Sequence, residues 1–453
     1  MTFFDETIAA VATPFGQGAI SVLRLSGPGA RAVFARCWRG ASLEPPRRAV
    51  LGRIVRPAGD GADDGAAVVD EGLATWFCGP ASYTGEDVIE FSGHGGVLVT
   101  RRVLDALLAS GARLAEPGEF TQRAFLHGKL DLTQAEAVMD LISAQTDLAL
   151  KAAHEQLAGR LGERMHVLRG EVLGLLAHVE AYIDFPDEDI DPDTGAALLA
   201  RIDATRAAVD ALLATADQGR VLREGVRTAL IGAPNVGKSS LLNRLLGFER
   251  AIVSEIAGTT RDTLEEVINL RGLPLRLIDT AGLRESADVL ERAGIERSRA
   301  ALAQAGLVLE VADGSQPKEQ FQPVAVAATP RLLVLNKADL GEHPSWAGTG
   351  AVRVSCETGA GFDALADAIE SLVTNGAVAW SADLVAINAR HQACLQEART
   401  GLAAARHLLA TGQPPELVAE ELRTGLHAIG EVVGQAGVEE LLGVIFSRFC
   451  IGK

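Results

Sequence analysis

Gly232-Ala233-Pro234-Asn235-Val236-Gly237-Lys238-Ser239 spells a phosphate cradle, and the residues on either side decide the fold around it. The stretch fits G-x-x-x-x-G-K-[ST]. Before it, Arg227-Thr228-Ala229-Leu230-Ile231 reads as a short buried strand; after it, Ser240-Leu241-Leu242-Asn243-Arg244-Leu245-Leu246 opens a helix. The glycines let successive backbone N–H groups turn inward, and the helix N-terminus adds positive potential toward an anion. Asn235, Val236, Gly237, Lys238, Ser239 and Ser240 are therefore expected at the nucleotide. Lys238 would reach the β- and γ-phosphates, and the Ser239 hydroxyl would ligate Mg²⁺.

Asn336-Lys337-Ala338-Asp339 selects the base. It follows the apolar run Leu332-Leu333-Val334-Leu335, which places it at the C-terminal edge of a strand, where open α/β sheets bind ligands. The Asp339 carboxylate can accept from guanine N1–H and the 2-amino group; adenine would leave that acceptor unpaired. Ser355-Cys356-Glu357, after the strand-like Ala351-Val352-Arg353-Val354, is expected to close the base pocket with backbone N–H groups.

Two switch elements lie between. Gly258-Thr259-Thr260-Arg261-Asp262 offers a second threonine hydroxyl for Mg²⁺, assigned to Thr260, and the loop Ser254-Glu255-Ile256-Ala257 leads into it. Asp279-Thr280-Ala281-Gly282 ends the strand Leu275 to Ile278; its aspartate would hold the metal through water, and its glycine N–H would meet the γ-phosphate. In this order the elements read as a GTPase. Two departures from the commonest plan stand out. Leu283 occupies the position where many signalling GTPases place a water-orienting glutamine, so that task must move elsewhere. Asn235 has two readings: a turn-former satisfying its own loop, or a side-chain carbonyl that ligates a monovalent cation beside the phosphates. Potassium there would neutralise transition-state charge as an arginine finger does, a term of ~10³–10⁵ in rate.

The 453 residues suggest about three domains. Hydrophobic content of 48% is ample for packed cores, and with aromatics at 4% those cores rest on Leu, Val, Ala and Ile. No secretory leader and no membrane span is expected. Cys37, Cys78, Cys356, Cys394 and Cys450 form no C-x-x-C pair, which argues against zinc and disulfides and fits a reducing cytosol. The net charge of −17 argues against strong non-specific nucleic-acid binding and leaves a local RNA contact possible. The acidic run from Asp184 through Asp193 reads as a solvated interhelical turn.

The expected fold is multidomain, α+β and α/β. Residues 1–120 form a strand-rich domain; 121–217 form the first part of an all-α helical domain, with a capping box at Thr133-Gln134-Ala135-Glu136. A Ras-like P-loop G domain fills 218–378, inserted into the helical domain, which resumes over 379–453 with a break at Gly412-Gln413-Pro414-Pro415. Such an insertion suits conversion of a nucleotide-driven rearrangement into helix motion.

Further motifs complete the picture: Thr13-Pro14, Ser82-Tyr83-Thr84-Gly85-Glu86-Asp87, Gly93-His94-Gly95-Gly96, Pro117 to Phe125, and the terminal Cys450-Ile451-Gly452-Lys453. With the G motifs they resemble, over the whole chain, the MnmE (TrmE) family of tRNA-modification GTPases, among the TrmE-Era-EngA-like GTPases. The resemblance implies a cytoplasmic homodimer whose N-terminal domain binds a tetrahydrofolate one-carbon donor, 5-formyl- or 5,10-methylene-. It implies a flavoprotein partner of the MnmG type, carrying FAD, in a heterotetramer that installs an aminomethyl or carboxymethylaminomethyl group at C5 of the tRNA wobble uridine. The tRNA would be held largely by that partner. Folate contacts map by motif onto Arg24, Glu90, Lys129 and Lys453. Hydrolysis in the family is stimulated by potassium and G-domain dimerisation. That makes Asn235 a potassium ligand, with the Ser254 and Ile256 carbonyls and Thr259, and moves water positioning to Glu291, so Glu291, Lys238 and Thr260 form the catalytic set. Relatives carry threonine where Ser254 stands, a change a main-chain contact tolerates. Cys450 has no adjoining histidine to activate it and stays outside that set.

Two other readings compete. A ribosome-assembly GTPase acting as an RNA-binding switch would need a basic appended domain such as a KH fold, and the C-terminal helices lack its G-x-x-G loop amid basic residues. A scaffold that has lost hydrolysis is opposed by intact Lys238, Ser239, Thr260 and Asp279.

Overall fold

The computed structural model describes residues 6–57, 67–184, 196–247, 266–278, 304–321, 323, 329–374, 385–435, 439–447 and 449–453. Contacts divide the chain into two units. Met1–Met139, Leu161–Gly170 and Leu426–Lys453 form the first; Asp140–Arg160 and Glu171–Gly425 form the second.

The first unit is built on a seven-stranded sheet in the spatial order Trp38–Gly40, Val50–Val55, Val68–Phe77, Val88–His94, Ile20–Ser26, Ile8–Val11, Arg113–Leu114. All neighbours are antiparallel except the last pair. Alternation along the strands buries Leu23, Leu25, Ala74, Trp76, Ile89 and Phe91 on one face, in a cluster with residues of helices Ala30–Cys37 and Val97–Ala109. The Trp38 ring lies in a slot floored by Gly40 and Gly52: a Cβ on either would come within 2.6 and 2.4 Å of the ring. On the other face Ile8 and Ala10 pack with Ala115 and Phe120.

Helix Glu119–Leu126 is pinned by buried charge. Arg123, fully buried, donates to the Glu86 carboxylate at 3.1 Å, to Glu119 at 2.9 Å and to the Glu6 carbonyl at 3.0 Å. Arg113 adds 2.7 Å to Glu119. Burial opposes ionisation of Glu119, but the Arg113 and Glu116 donors outweigh it and hold its carboxyl below the usual range. The next helix, Leu132–Ser143, is capped two residues earlier than the expected box. Asp131 Oδ1 accepts from Gln134 N at 2.8 Å, and Gln134 Oε1 accepts from Asp131 N at 2.9 Å. Asp131 lies outside the helix and keeps its carboxylate free for this, whereas Thr133 is buried within the first turn and donates to Asp131. The C-terminus returns to the sheet: Ile451 bridges Pro117, and Gly452 (φ +102°) passes so close that a Cβ would lie 2.3 Å from the Val11 carbonyl.

The second unit contains the G-domain sheet, six strands ordered Val352–Arg353, Arg331–Asn336, Leu307–Asp313, Val226–Ile231, Leu273–Ile278, Glu266–Leu270. It is parallel apart from the final antiparallel pair, and Leu241, Leu245, Leu365 and Ile369 help to fill one side. The chain leaves helix Ala216–Glu224 through Gly225 (φ +73°) into this sheet and comes back beside the same helix. Thr215 Oγ1 donates to the Val385 carbonyl at 2.9 Å, and Gly219 lies flush against Ile387. Helix Ala389–Ala410 then pairs with helix Ala196–Leu213 through Arg406–Asp203 at 2.7 Å. The G domain is thus an insertion between helices that pack together. The interruption at Gly412 holds, and Pro415 opens the following helix, Pro415–Val433, where a missing N–H is harmless. Among the described residues no helix is long and apolar enough to cross a membrane.

Candidate functional site

The cradle forms between strand Val226–Ile231 and helix Lys238–Leu246. Gly237 (φ +96°) is the residue before the helix, and a Cβ there would lie 2.1 Å from Asn336 Nδ2; Gly232 (φ +150°) would meet the Val311 carbonyl at 2.2 Å. Only glycine fits either place. Asn235 holds φ +64° with an exposed side chain, a conformation asparagine tolerates better than most residues. The Lys238 ammonium arches over the loop, donating to the Gly232 and Ala233 carbonyls at 2.9 and 2.8 Å. Burial holds it below the ordinary lysine range, which a neighbouring phosphate would reverse. Ser239 and Ser240 are exposed at the helix start.

The base-recognition loops are tied to the cradle by Asn336. This side chain is 3% exposed; Nδ2 donates to the Val236 carbonyl at 3.0 Å and Oδ1 accepts from Cys356 N at 3.2 Å. Lys337 (φ +65°) donates to Asp313 at 2.7 Å; burial works against that carboxylate's charge, but Lys337 and Ser315 prevail and its pKa is lowered. Asp339 accepts from the Ser355 hydroxyl. Ser355 N donates to the Ala360 carbonyl at 3.0 Å and Cys356 N to Asn336, which ties the 355–357 turn to the loop that carries Asp339. Glu357 follows in the same turn, and Ala338 N donates to the Val354 carbonyl at 3.1 Å. The Cys356 thiol is pushed up by burial. Ser254, Glu255, Ile256, Ala257, Gly258, Thr259, Thr260, Asp279, Thr280, Ala281, Gly282 and Glu291 lie outside the described residues.

In the first unit Arg24 and Glu90 are cross-strand partners, ion-paired at 2.7 Å and partly open to solvent. The Arg24 guanidinium lies 5.2 Å from the Tyr83 ring centre and 5.6 Å from that of Phe120. Lys453 belongs with them: burial first, then the charge of Arg24, holds it below the ordinary lysine range, with Glu90 opposing. Lys129 stands apart, exposed, donating to the Pro80 carbonyl at 3.1 Å. Tyr83 and Phe120 were not singled out from sequence, although both sit in the quoted motifs; the aromatic floor under Arg24 needed the fold.

Models of the MnmE helical domain and of the TrmE N-terminus match residues 132–450 and 7–129. The curated tRNA modification GTPase MnmE of Akkermansia muciniphila is 54% identical, with all of both chains covered. The chain belongs to the MnmE family. The MnmE proteins of Chloroflexus aurantiacus and Geobacter sulfurreducens are each 46% identical, over 99% and 100% of this chain and all of their own. Of solved structures, an Aquifex aeolicus Era variant bound to GDP·AlF4⁻ is 28% identical over 38% of this chain and 65% of its own, at TM-score 0.25. Membership in the MnmE family accounts for the joint presence of the cradle and the N-terminal motifs in one chain.

Proposed function

We propose that this chain is the potassium-stimulated GTPase of a folate-dependent system that modifies C5 of the tRNA wobble uridine, working as a homodimer with an FAD-carrying MnmG-type partner. The observation that carries the reading is end-to-end identity of 54% with a tRNA modification GTPase, joined to a cradle whose glycines, lysine and base-loop asparagine interlock. In this reading residues 1–120 form the folate and dimer domain, 121–217 and 379–453 the two helical parts, and 218–378 the inserted G domain.

The chain's residues divide the work. Lys238, held by two carbonyls at the cradle rim, exchanges them for β- and γ-phosphate oxygens. Asp339, steadied by Ser355, reads the guanine edge. The fit for Mg²⁺ is the exposed Ser239 hydroxyl at the helix start, with Thr260 as its partner; the ion held there would supply positive charge against that of the phosphates. Asn235, exposed in its left-handed turn, Thr259 and the Ser254 and Ile256 carbonyls would hold potassium, and Glu291 would orient the attacking water. At the folate site, Glu90 presents a carboxylate to the amide-like edge of a pterin, while Arg24 and Lys453 suit the glutamate tail; Lys129 would serve the tail from outside. The rival ribosome-assembly reading gains nothing from the described residues of the second helical part, which form the helices Ala389–Ala410, Pro415–Val433 and Glu439–Phe446.

The test is reconstitution of the purified chain with its flavoprotein partner, GTP, a methylene-folate and unmodified tRNA, followed by nucleoside mass spectrometry. Modified wobble uridine that disappears without folate and in Lys238→Ala supports the reading. No modification with every component present overturns it.

A further inference from the structure

The chain as a whole is acidic, at −17, yet positions 31–56 hold seven arginines and one carboxylate, Glu44. Six of these arginines lie on the helix, strands and loop that form one edge of the seven-stranded sheet. Arg31 and Arg36 lie on helix Ala30–Cys37, and Arg39 on the edge strand Trp38–Gly40. Arg47 and Arg48 follow on the loop to the next strand, which carries Arg53. All six are exposed.

Two of them are neutralised. Arg31 pairs with Glu44 at 2.6 Å while lying 4.2 Å from the Trp76 ring centre, and Arg53 pairs with Glu71 at 2.7 Å. The others have no carboxylate partner among the described residues. Arg36 donates to the Ser110 carbonyl at 2.7 Å, Arg39 to the Trp38 carbonyl at 3.0 Å and Arg47 to the Ala81 carbonyl at 2.6 Å. A carbonyl anchor uses one or two of the five guanidinium donors, fixes the head and leaves the rest facing water. The register also sets Arg39 directly opposite Arg53, a like-charge pairing that disfavours the sheet. Charges do guard edge strands against pairing with other chains. That task needs only one or two charges of either sign, and a concentration of unpaired positive charge on an acidic protein exceeds it.

We propose that this arginine-bearing edge receives the phosphate backbone of the tRNA substrate. The proposal rests on the tRNA-modification reading for the identity of the nucleic acid. Planar guanidiniums pair bidentately with phosphate, and such contacts position an RNA without reading its sequence. The surface thereby supplies a local contact that the overall charge would not suggest.

The experiment uses the full chain with its flavoprotein partner and measures tRNA binding against salt concentration, together with kcat and KM for tRNA. Arg36→Gln/Arg39→Gln/Arg48→Gln is compared with a control carrying Arg220→Gln/Arg399→Gln/Arg423→Gln. The patch variant should flatten the slope of log K on log salt by about 2–3 and raise KM by about tenfold or more near ~0.1 M salt, with kcat and the control unchanged. Should the triple variant fail to fold, Arg48→Gln alone, which removes no described hydrogen bond, should flatten the slope by about 1 and Arg48→Lys restore it. An unchanged slope and KM, or equal losses in patch and control, overturns the proposal. So does loss of flavoprotein binding with tRNA binding intact, which would make the edge a protein interface. If the parent binds tRNA through this edge yet modifies no uridine, the modification reading falls and the RNA surface stands.

Discussion

Asn336→Ala should damage nucleotide binding because the asparagine ties the loops of the site together. Its amide joins three loops: the cradle through the Val236 carbonyl, its own strand end, and the 355–357 turn through Cys356 N. Truncation leaves a carbonyl and an N–H without partners in a place where Asn336 is 3% and Val236 8% exposed. Each unpaired buried group costs about 1–3 kcal/mol. Cys356 is half-buried, so water offsets part of the second loss, and a total of about 2–4 kcal/mol is expected. If the loops must adopt this arrangement to hold guanine nucleotide, affinity falls ~30- to 1,000-fold. Titration with a fluorescent GDP analogue measures it, with thermal unfolding of the nucleotide-free protein separating general destabilisation from loss at the site. A dissociation constant within about threefold of the parent refutes the reasoning, because it would mean that the loops keep their register without the tie.

Other predictions concern the first unit. Gly452→Ala places a Cβ 2.3 Å from the Val11 carbonyl at φ +102°, so the C-terminus must leave the sheet; folate affinity should fall at least about tenfold while GTP turnover stays near the parent. Titration of each variant by calorimetry measures this. Glu90→Gln removes the carboxylate beside Arg24 and Lys453 and should weaken folate binding by about tenfold or more, with little change in unfolding temperature because the pair is partly exposed. Glu119 has a folded pKa below its ordinary 4.5, so its stabilisation is complete above that value and is lost as pH falls from 4.5 through the folded pKa. Urea unfolding at a series of acidic pH values should therefore show a shallower acid limb in Glu119→Gln, from a lower starting stability; a parallel limb contradicts the assignment.

The sequence was most legible where spacing and backbone chemistry coincide. The strand–glycine loop–helix order around Lys238 needed no tertiary knowledge, because the glycines, the buried run and the helix opening are all local. The insertion was readable from helical runs on both sides of the G motifs, and the packing of Thr215 on Val385 bears it out. Long-range geometry was not readable. The tie that Asn336 makes depends on its distance from Val236, and the bond from the Ser355 hydroxyl to Asp339 on the fold of the 355–357 turn. The helix start at Asp131 was displaced for a related reason: several residues there can cap, and burial of Thr133 chose among them. The convergence of Lys453 on Arg24 joins opposite ends of the chain, and the family motifs hinted at it where periodicity did not.

The central claim is that a cation held at Asn235 replaces the arginine finger. It is tested most directly by GTP turnover of the purified chain in potassium chloride against sodium chloride at equal ionic strength. The account predicts a large potassium-specific acceleration that disappears in Asn235→Ala; equal, slow rates in both salts would contradict it.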